Sequence, residues 1–261
     1  MGERGLTFGR GYAEIFATLG VLLLARILVW FPAILDYPLT RLLNTGAGRP
    51  LFDTIIFDLE EFYTPSGIVF LTVIWFCWSS SSSHRVRSHI MMGTVSALIA
   101  GMVSRLLQYV LPSHARPLHD AALGFHLPSG IDPTALNAWN SFPSDHAAVW
   151  FGLATVIAMV RPRLGVAAFA LALLSSIGRV YLGFHYPSDV LGGAGLGAAF
   201  VFAARTEPVE RVGLRVCTWG ERHAPLFYAA AFLLSYQIAT LFDDVRLIGG
   251  SIANLLRSPS L

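Results

Sequence analysis

Two short runs hold most of the residues that could do chemistry. Ser141-Phe142-Pro143-Ser144-Asp145-His146 ends on a histidine. Gly178-Arg179-Val180-Tyr181-Leu182-Gly183-Phe184-His185-Tyr186-Pro187-Ser188-Asp189 carries an arginine, a histidine and an aspartate. A third segment, Arg116-Pro117, adds an arginine. Each lies at the edge of an apolar, helix-length stretch, where charged and titratable groups are costly and usually functional. The set suits phosphoryl transfer: one histidine to attack phosphorus, one to give a proton, and guanidinium groups for the phosphate oxygens.

The local pattern supports that chemistry. Pro143 suits the first turn of a helix, and Ser141 or Ser144 can cap it. Unpaired N–H groups at a helix start bind phosphate, and His146 in that turn would face the anion. The plainer alternative is a helix cap with a polar boundary histidine. In the second run Arg179 ends one apolar stretch, a short turn carries His185, and Asp189 begins the next. An aspartate accepting from one ring nitrogen leaves the other nucleophilic, and arginine can clamp two phosphate oxygens. The alternative is a structural His–Asp pair beside a snorkelling arginine. Arg116 taken alone reads as a solvated loop residue or a headgroup contact.

The elements that must position these residues are helices in a bilayer. The chain has 261 residues, 54% hydrophobic and 13% charged, where soluble domains carry about 25% charged residues. The expected fold is all-α: one integral-membrane domain over residues 1–261, a helical bundle of six core transmembrane helices plus a seventh. The apolar stretches fall at Tyr12–Leu35, Phe62–Trp78, Ile90–Leu111, Pro143–Val160, Leu164–Gly183, Ser188–Ala204 and Pro225–Phe242, near the roughly 17–25 residues a span needs. Apolar residues at 51, 52, 55, 56, 59 and 62 suggest a short helix on the outer surface. The serine run Ser79–Ser83 reads as a flexible loop.

Basic residues set the orientation. All 18 are arginines. Arg4, Arg10, Arg85, Arg87, Arg161, Arg163, Arg205, Arg211, Arg215 and Arg222 fall on one side, read as cytoplasmic together with the N-terminus. Asp53, Asp58, Glu60, Glu61 and all three site segments fall on the other, so the site faces the periplasm or exterior of an inner (plasma) membrane. A net charge of +2 is too small to suggest nucleic acid. Cys77 and Cys217 lack metal-ligand spacing and disulfide context.

The three segments, in order, resemble the type 2 phosphatidic acid phosphatase family, membrane lipid phosphatases related to vanadium haloperoxidases. The family's first motif, lysine, six residues, then Arg-Pro, is met by Arg116-Pro117. Its Pro-Ser-Gly-His is here Pro143-Ser144-Asp145-His146. Its third motif, Ser-Arg, five residues, His, three residues, Asp, is met by Arg179, His185 and Asp189. The resemblance covers about residues 105–204; residues 205–261 would be a cytoplasmic connection, the extra span and a tail. Three positions depart: Tyr109 stands for the lysine, Gly178 for the serine, and Asp145 for the glycine. Phe-Pro-Ser-Asp-His is similar to bacterial members of the bacitracin-resistance type, which cleave undecaprenyl diphosphate.

The resemblance implies His185 as nucleophile, Asp189 as its orienting partner and His146 as proton donor, with Arg116, Arg179, Ser144 and Asp145 at the phosphate. It implies a phosphohistidine intermediate and no metal or other cofactor. The implied partners are a lipid phosphate or diphosphate and membrane lipids. Phosphatidic acid or phosphatidylglycerol phosphate hydrolysis, a lipid phosphotransferase and a non-catalytic lipid-phosphate binding or transport protein are the alternatives. For the missing lysine, Arg105 lies one helical turn deeper than Tyr109, about 6 Å away along the axis. Arg105 is expected to supply the cation and the Tyr109 hydroxyl a hydrogen bond; the alternative is that Arg105 only pairs with a neighbouring helix. Arg26 reads as structural, and His84, His89 and His223 as solvated cytoplasmic residues. His114, His119 and His126 lie on the site's side without an assigned role.

Overall fold

The computed structural model describes residues 11–61, 64–137 and 139–240, and every regular element among them is helical. In chain order these are α1 (Gly11–Leu28), α2 (Asp36–Asn44), α3 (Pro50–Glu61), α4 (Thr64–Ser79), α5 (His84–Val110), α6 (Asp145–Val160), α7 (Pro162–Tyr181), α8 (Pro187–Ala203), α9 (Glu207–Arg222) and α10 (Ala224–Ala239), with a 3₁₀ turn at Pro117–His119. Each apolar stretch of the sequence overlaps one of the helices α1, α4, α5, α6, α7, α8 and α10. The first is shorter than its apolar run: α1 stops at Leu28, and Trp30 and Phe31 continue in turns closed by bonds to Ile27 and Leu28. The end of the last stretch, from residue 241, lies outside the described residues.

By length and composition, α5 and α7 are each able to cross a membrane, and α8 with α9 passes as a pair bent by 70°. Residues Ser66–Ser79 and helices α6 and α10 are apolar but shorter. At 16 residues, α6 is about 24 Å long, less than the roughly 30 Å of a hydrocarbon core. The reason is local: the motif before it, up to Ser144, is extended loop rather than helix. The outer-surface helix expected near residue 51 is α3. With α2 it leaves Leu39, Leu42, Leu51, Phe52, Ile55 and Leu59 exposed, an apolar face of the kind that lies in a bilayer interface. Of the histidines expected in cytoplasmic connections, His84 is exposed and pairs with Glu221 at 2.5 Å, whereas His89, expected in solvent, is buried.

Helix α6 is the hub, flanked by α5, α7 and α8, with α1 laid along α8 and α10 against α4. Trp150 of α6 stacks on Phe70 of α4 at a 5.2 Å centroid distance, in a core with Leu153, Ile157 and Ile90. The α6–α8 seam is closer than side chains permit. A Cβ on Gly193 would lie 2.2 Å from the Ser144 carbonyl oxygen, and one on Gly197 would lie 2.1 Å from that of Ala148. Glycine there lets two backbones meet, which brings the start of α6 and the start of α8 to one place.

A methyl group at this seam therefore has a definite expected cost. Gly197→Ala gains about 1 kcal/mol of helix propensity but meets backbone, and overpacking of this kind costs about 1–3 kcal/mol. Gly20, on α1, has open space at its Cβ position, so Gly20→Ala keeps only the gain. Thermal unfolding in detergent should place Gly197→Ala below the parent and Gly20→Ala at or above it. Equal midpoints for the two variants would refute the close α6–α8 approach.

Candidate functional site

The Ser141–His146 run is held from three sides. On α5, the Ser104 hydroxyl and the Gln108 amide both donate to the Pro143 carbonyl, at 3.0 and 2.7 Å. Asn140 ties the run to the end of α5: its Nδ2 donates to the Leu111 and Pro112 carbonyls at 3.3 and 3.1 Å, and its Oδ1 accepts from Phe142 N–H at 3.1 Å. From α8, the main-chain oxygen of Asp189 accepts from Ser144 N–H at 3.0 Å. Ser144 is the N-cap of α6, its hydroxyl accepting from Ala147 N–H at 3.3 Å. That satisfies one orphan donor of the first turn and leaves His146 in the first turn of α6.

Two imidazoles converge there. Asp145, His146 and His185 each place a donor atom within 4.8 Å of the others. The His146 Nδ1 lies 2.9 Å from Asp145 Oδ1. The His185 Nδ1 lies 3.0 Å from the Ser141 carbonyl oxygen. Carboxylate and carbonyl oxygens only accept, so both rings carry their proton on Nδ1 and turn Nε2 toward other chemistry. The nearest acceptor for His185 is a main-chain carbonyl, with Asp189 Oδ2, the partner expected from the sequence, 3.7 Å away. That oxygen accepts from Tyr186 N–H at 2.6 Å in a capping box at the start of α8. Its other oxygen is 3.4 Å from His114 Nδ1.

The surroundings are cationic. Arg116 is 2% exposed; it donates to the Phe184 carbonyl and, at 3.2 Å, to that of Asn140. Arg179, also buried, lies with its guanidinium 4.9 Å from the Phe184 ring centroid. Among the described residues neither Nε has an acceptor. Burial pushes His185 down to about 4, with Arg116 and Arg179 adding to the shift and the Asp189 contact resisting it. The ring is therefore neutral at pH 7. Burial, then the neighbouring Arg179, lowers Arg116 to about 10, still cationic. Two buried cations close to two imidazoles suit an anion with several oxygens.

Several candidates sit elsewhere than expected. Asp145 is not turned to a phosphate: its two oxygens are taken by His146 and by Arg105, whose guanidinium is 3.0 Å from Oδ2. A carboxylate would repel the anion, so this residue answers to its neighbours. Arg105 likewise serves Asp145 and the Gln108 side chain, at 3.2 Å, rather than the pocket. Tyr109 is 66% exposed against the Trp139 ring, outside the cluster. His119 bonds the Ala135 carbonyl at 2.9 Å, and the His126 backbone pairs with Asn44, so both histidines belong to loop architecture. Sequence reasoning passed over Asn140 and Gln108, which no motif marks, and left His114 without a role. His114 touches Ser141 Oγ at 2.8 Å as well as Asp189. Burial opposes its charge, but Asp189 and Asp36 outweigh that and raise its pKa.

Two histidines and two arginines gathered at one end of a helical bundle are a charge set that suits a phosphoanion. Residues 94–211 match the PAP2 superfamily. Among curated relatives, the lipid A 1-phosphatase of Rhizobium johnstonii is 33% identical over 105 residues, 40% of each chain. The bacitracin transport permease protein BcrC of Bacillus licheniformis is 29% identical over 61% of this chain and 74% of its own. The undecaprenyl-diphosphatase BcrC of Bacillus subtilis is 25% identical over 54% and 67%. The match thus spans two fifths of the length of the Rhizobium phosphatase. No solved structure matches the chain.

One departure from the family pattern has a steric cause. A Cβ on Gly178, where the motif has serine, would lie 2.7 Å from Glu60 Oε1. Glu60 comes from α3, is buried, and accepts from the Ser175 hydroxyl at 3.3 Å. Gly178→Ser should lower thermal stability by about 1–3 kcal/mol, and Glu60→Ala in the same chain should recover most of that loss. Strict additivity in the double-mutant cycle would mean that Glu60 does not occupy the serine's place.

Proposed function

We propose that this chain is a lipid phosphatase that removes the terminal phosphate of an isoprenoid diphosphate, undecaprenyl diphosphate being the lead substrate. The observation that carries the reading is the pinning of the His185 Nδ1 by a carbonyl oxygen beside two buried arginines and a second histidine. His185 Nε2 attacks phosphorus, and the bond from phosphorus to the leaving oxygen breaks with its electron pair going to that oxygen. His146 delivers a proton there. Arg116 and Arg179 hold the equatorial oxygens as their charge grows. Water then attacks the phosphohistidine, with His146 taking its proton, and inorganic phosphate leaves. No metal takes part.

Substrate choice draws on the likeness of Phe142-Pro143-Ser144-Asp145-His146 to the bacitracin-resistance type and on the name of the Bacillus subtilis relative. The second reading, a phosphate on a glycolipid, draws on the name of the Rhizobium relative. A phosphate-release panel on purified protein should contain undecaprenyl diphosphate, lipid A, phosphatidic acid and phosphatidylglycerol phosphate. The first should be turned over fastest, without added metal, in the presence of chelator and with inhibition by orthovanadate. His185→Ala should lose several orders of magnitude in rate, about 10³-fold or more, while keeping its fold. As His185 is pushed down to about 4 and must be neutral to attack, activity lost on acidification should fall away below the usual histidine range. A chelator that abolishes turnover, or an enzyme-borne acidic limb near pH 6.5, would overturn this account. Phosphate passed to a second lipid instead of water would make it a transferase; binding without turnover would make it a carrier.

For location, the reading takes α1, α4, α5, α6, α7 and α8 as six core spans and α10 as a seventh, with the N-terminus cytoplasmic and the site facing outward. Ala121 is exposed in the loop that follows α5, and Arg163 is exposed at the opposite end of the bundle. In a variant lacking Cys77 and Cys217, a cysteine at position 121 should react with a membrane-impermeant thiol reagent in intact cells, given an outer layer the reagent can cross. A cysteine at position 163 should not. The reverse pattern would invert the topology.

A further inference from the structure

We propose that Asp145 and Arg105 are positioning residues that act on the proton-donating histidine, His146; the proposal rests on the phosphatase reading above. Asp145 stands where the family motif has glycine, so the motif itself assigns it nothing. Its Oδ1 takes both His146 N–H groups on that side: the backbone N–H at 3.0 Å and Nδ1 at 2.9 Å. Its Oδ2 is 3.0 Å from an Arg105 guanidinium nitrogen. Arg105 also donates to Gln108 Oε1 at 3.2 Å, and Gln108 donates to the Pro143 carbonyl at 2.7 Å. One face of α5 therefore grips the carboxylate and the loop before it together.

The chemistry follows from charge. With Nδ1–H held by the carboxylate, protonated His146 gives up its Nε2 proton to the leaving oxygen and remains a neutral ring with Nδ1–H in place. Asp145 stabilises the imidazolium before that transfer. The same carboxylate, unpaired, would oppose the incoming phosphate; Arg105 cancels that field while Arg116 and Arg179 receive the anion. The charged and titratable groups facing His146 are Asp145 on its own helix, Arg179 on α7 and His185 on the α7–α8 turn, with Arg105 of α5 acting through Asp145. The cation one turn from the missing lysine's position is thus bound to a carboxylate instead of being offered to the phosphate.

Opposite shifts test this. Asp145→Asn removes the negative charge, so His146 holds its proton less well and the alkaline limb of kcat/KM should move to lower pH. Arg105→Gln leaves that charge unbalanced, so the limb should move to higher pH and KM should rise more than kcat falls. Asp145→Asn should cost about 10-fold or more on a lipid monophosphate, whose leaving group needs a proton, and much less on an aryl phosphate, whose leaving group does not. Arg105→Gln with Asp145→Gly, the family's own residue, should recover activity relative to Arg105→Gln alone. Shifts of the same sign, no shift, or equal losses on both substrates would sink the proposal. Nitrogen-15 spectra of labelled histidine read the same coupling without turnover: His146 should be the Nδ1–H tautomer in the parent, with a titration that moves in Asp145→Asn or, should that variant fail to fold, in Asp145→Gly. An unmoved titration overturns the positioning role, whereas a parent that releases no phosphate overturns the phosphatase reading alone.

Discussion

Buried guanidinium groups are costly, and much of the end of the bundle that carries the histidines is arranged around keeping them charged. Arg116 and Arg179 are 2% and 6% exposed. Transferring such ions from water is expensive unless hydrogen bonds and opposite charge compensate. Arg116 is met by two main-chain carbonyls, of Phe184 and Asn140. Arg179 is met by the Phe184 ring and by the field of Glu60. Those carbonyls belong to the two turns that carry the histidines, so the loops that deliver the imidazoles also solvate the cations. Neither can be moved without the other.

The seam between α6 and α8 sets the distance across the site. Because Gly193 and Gly197 admit the backbone of α6, the Asp189 carbonyl can accept from Ser144 N–H at 3.0 Å. Asp189 is itself fully buried and serves several groups: the Tyr186 N–H that starts α8, His114 and, at longer range, His185. Its first duty in this geometry is to fix the entry of α8, and through Tyr186 the turn that presents His185. A helix cap and the placement of His185 are here the same contact. The α2 helix adds a second layer, Asp36 accepting from both the N–H and the hydroxyl of Ser188 at 2.8 and 2.7 Å.

Helix α3 shows how far an ordinary-looking connector can be drawn into a site. Its apolar face is exposed, as its spacing suggests, yet two of its acids are buried. Asp53 accepts from the Tyr181 hydroxyl and from the N–H groups of Ser129 and Gly48, at 2.8 and 3.1 Å. Glu60 reaches Ser175 and lies over Gly178, and burial raises it to about 7, against the pull of Arg179. Two of the acids that the sequence assigns to an outer face, Asp53 and Glu60, pin α3 onto α7.

The sequence by itself determined that the chain is helical and apolar, that Arg116, His146, Arg179, His185 and Asp189 belong together, and which family they resemble. It could do so because helix-length apolar runs and short motifs are local: residues a few positions apart are neighbours whatever the rest of the chain does. Only the tertiary structure decided the partners. Arg105 and Asp145 are 40 positions apart and meet because α5 lies on α6. His185 takes the carbonyl of Ser141, 44 residues away, and Glu60 fills the place of a serine side chain on a helix it follows by no pattern. These contacts are set by how closely whole helices approach, which depends on the volume of facing side chains across the bundle, and no spacing within one segment records that.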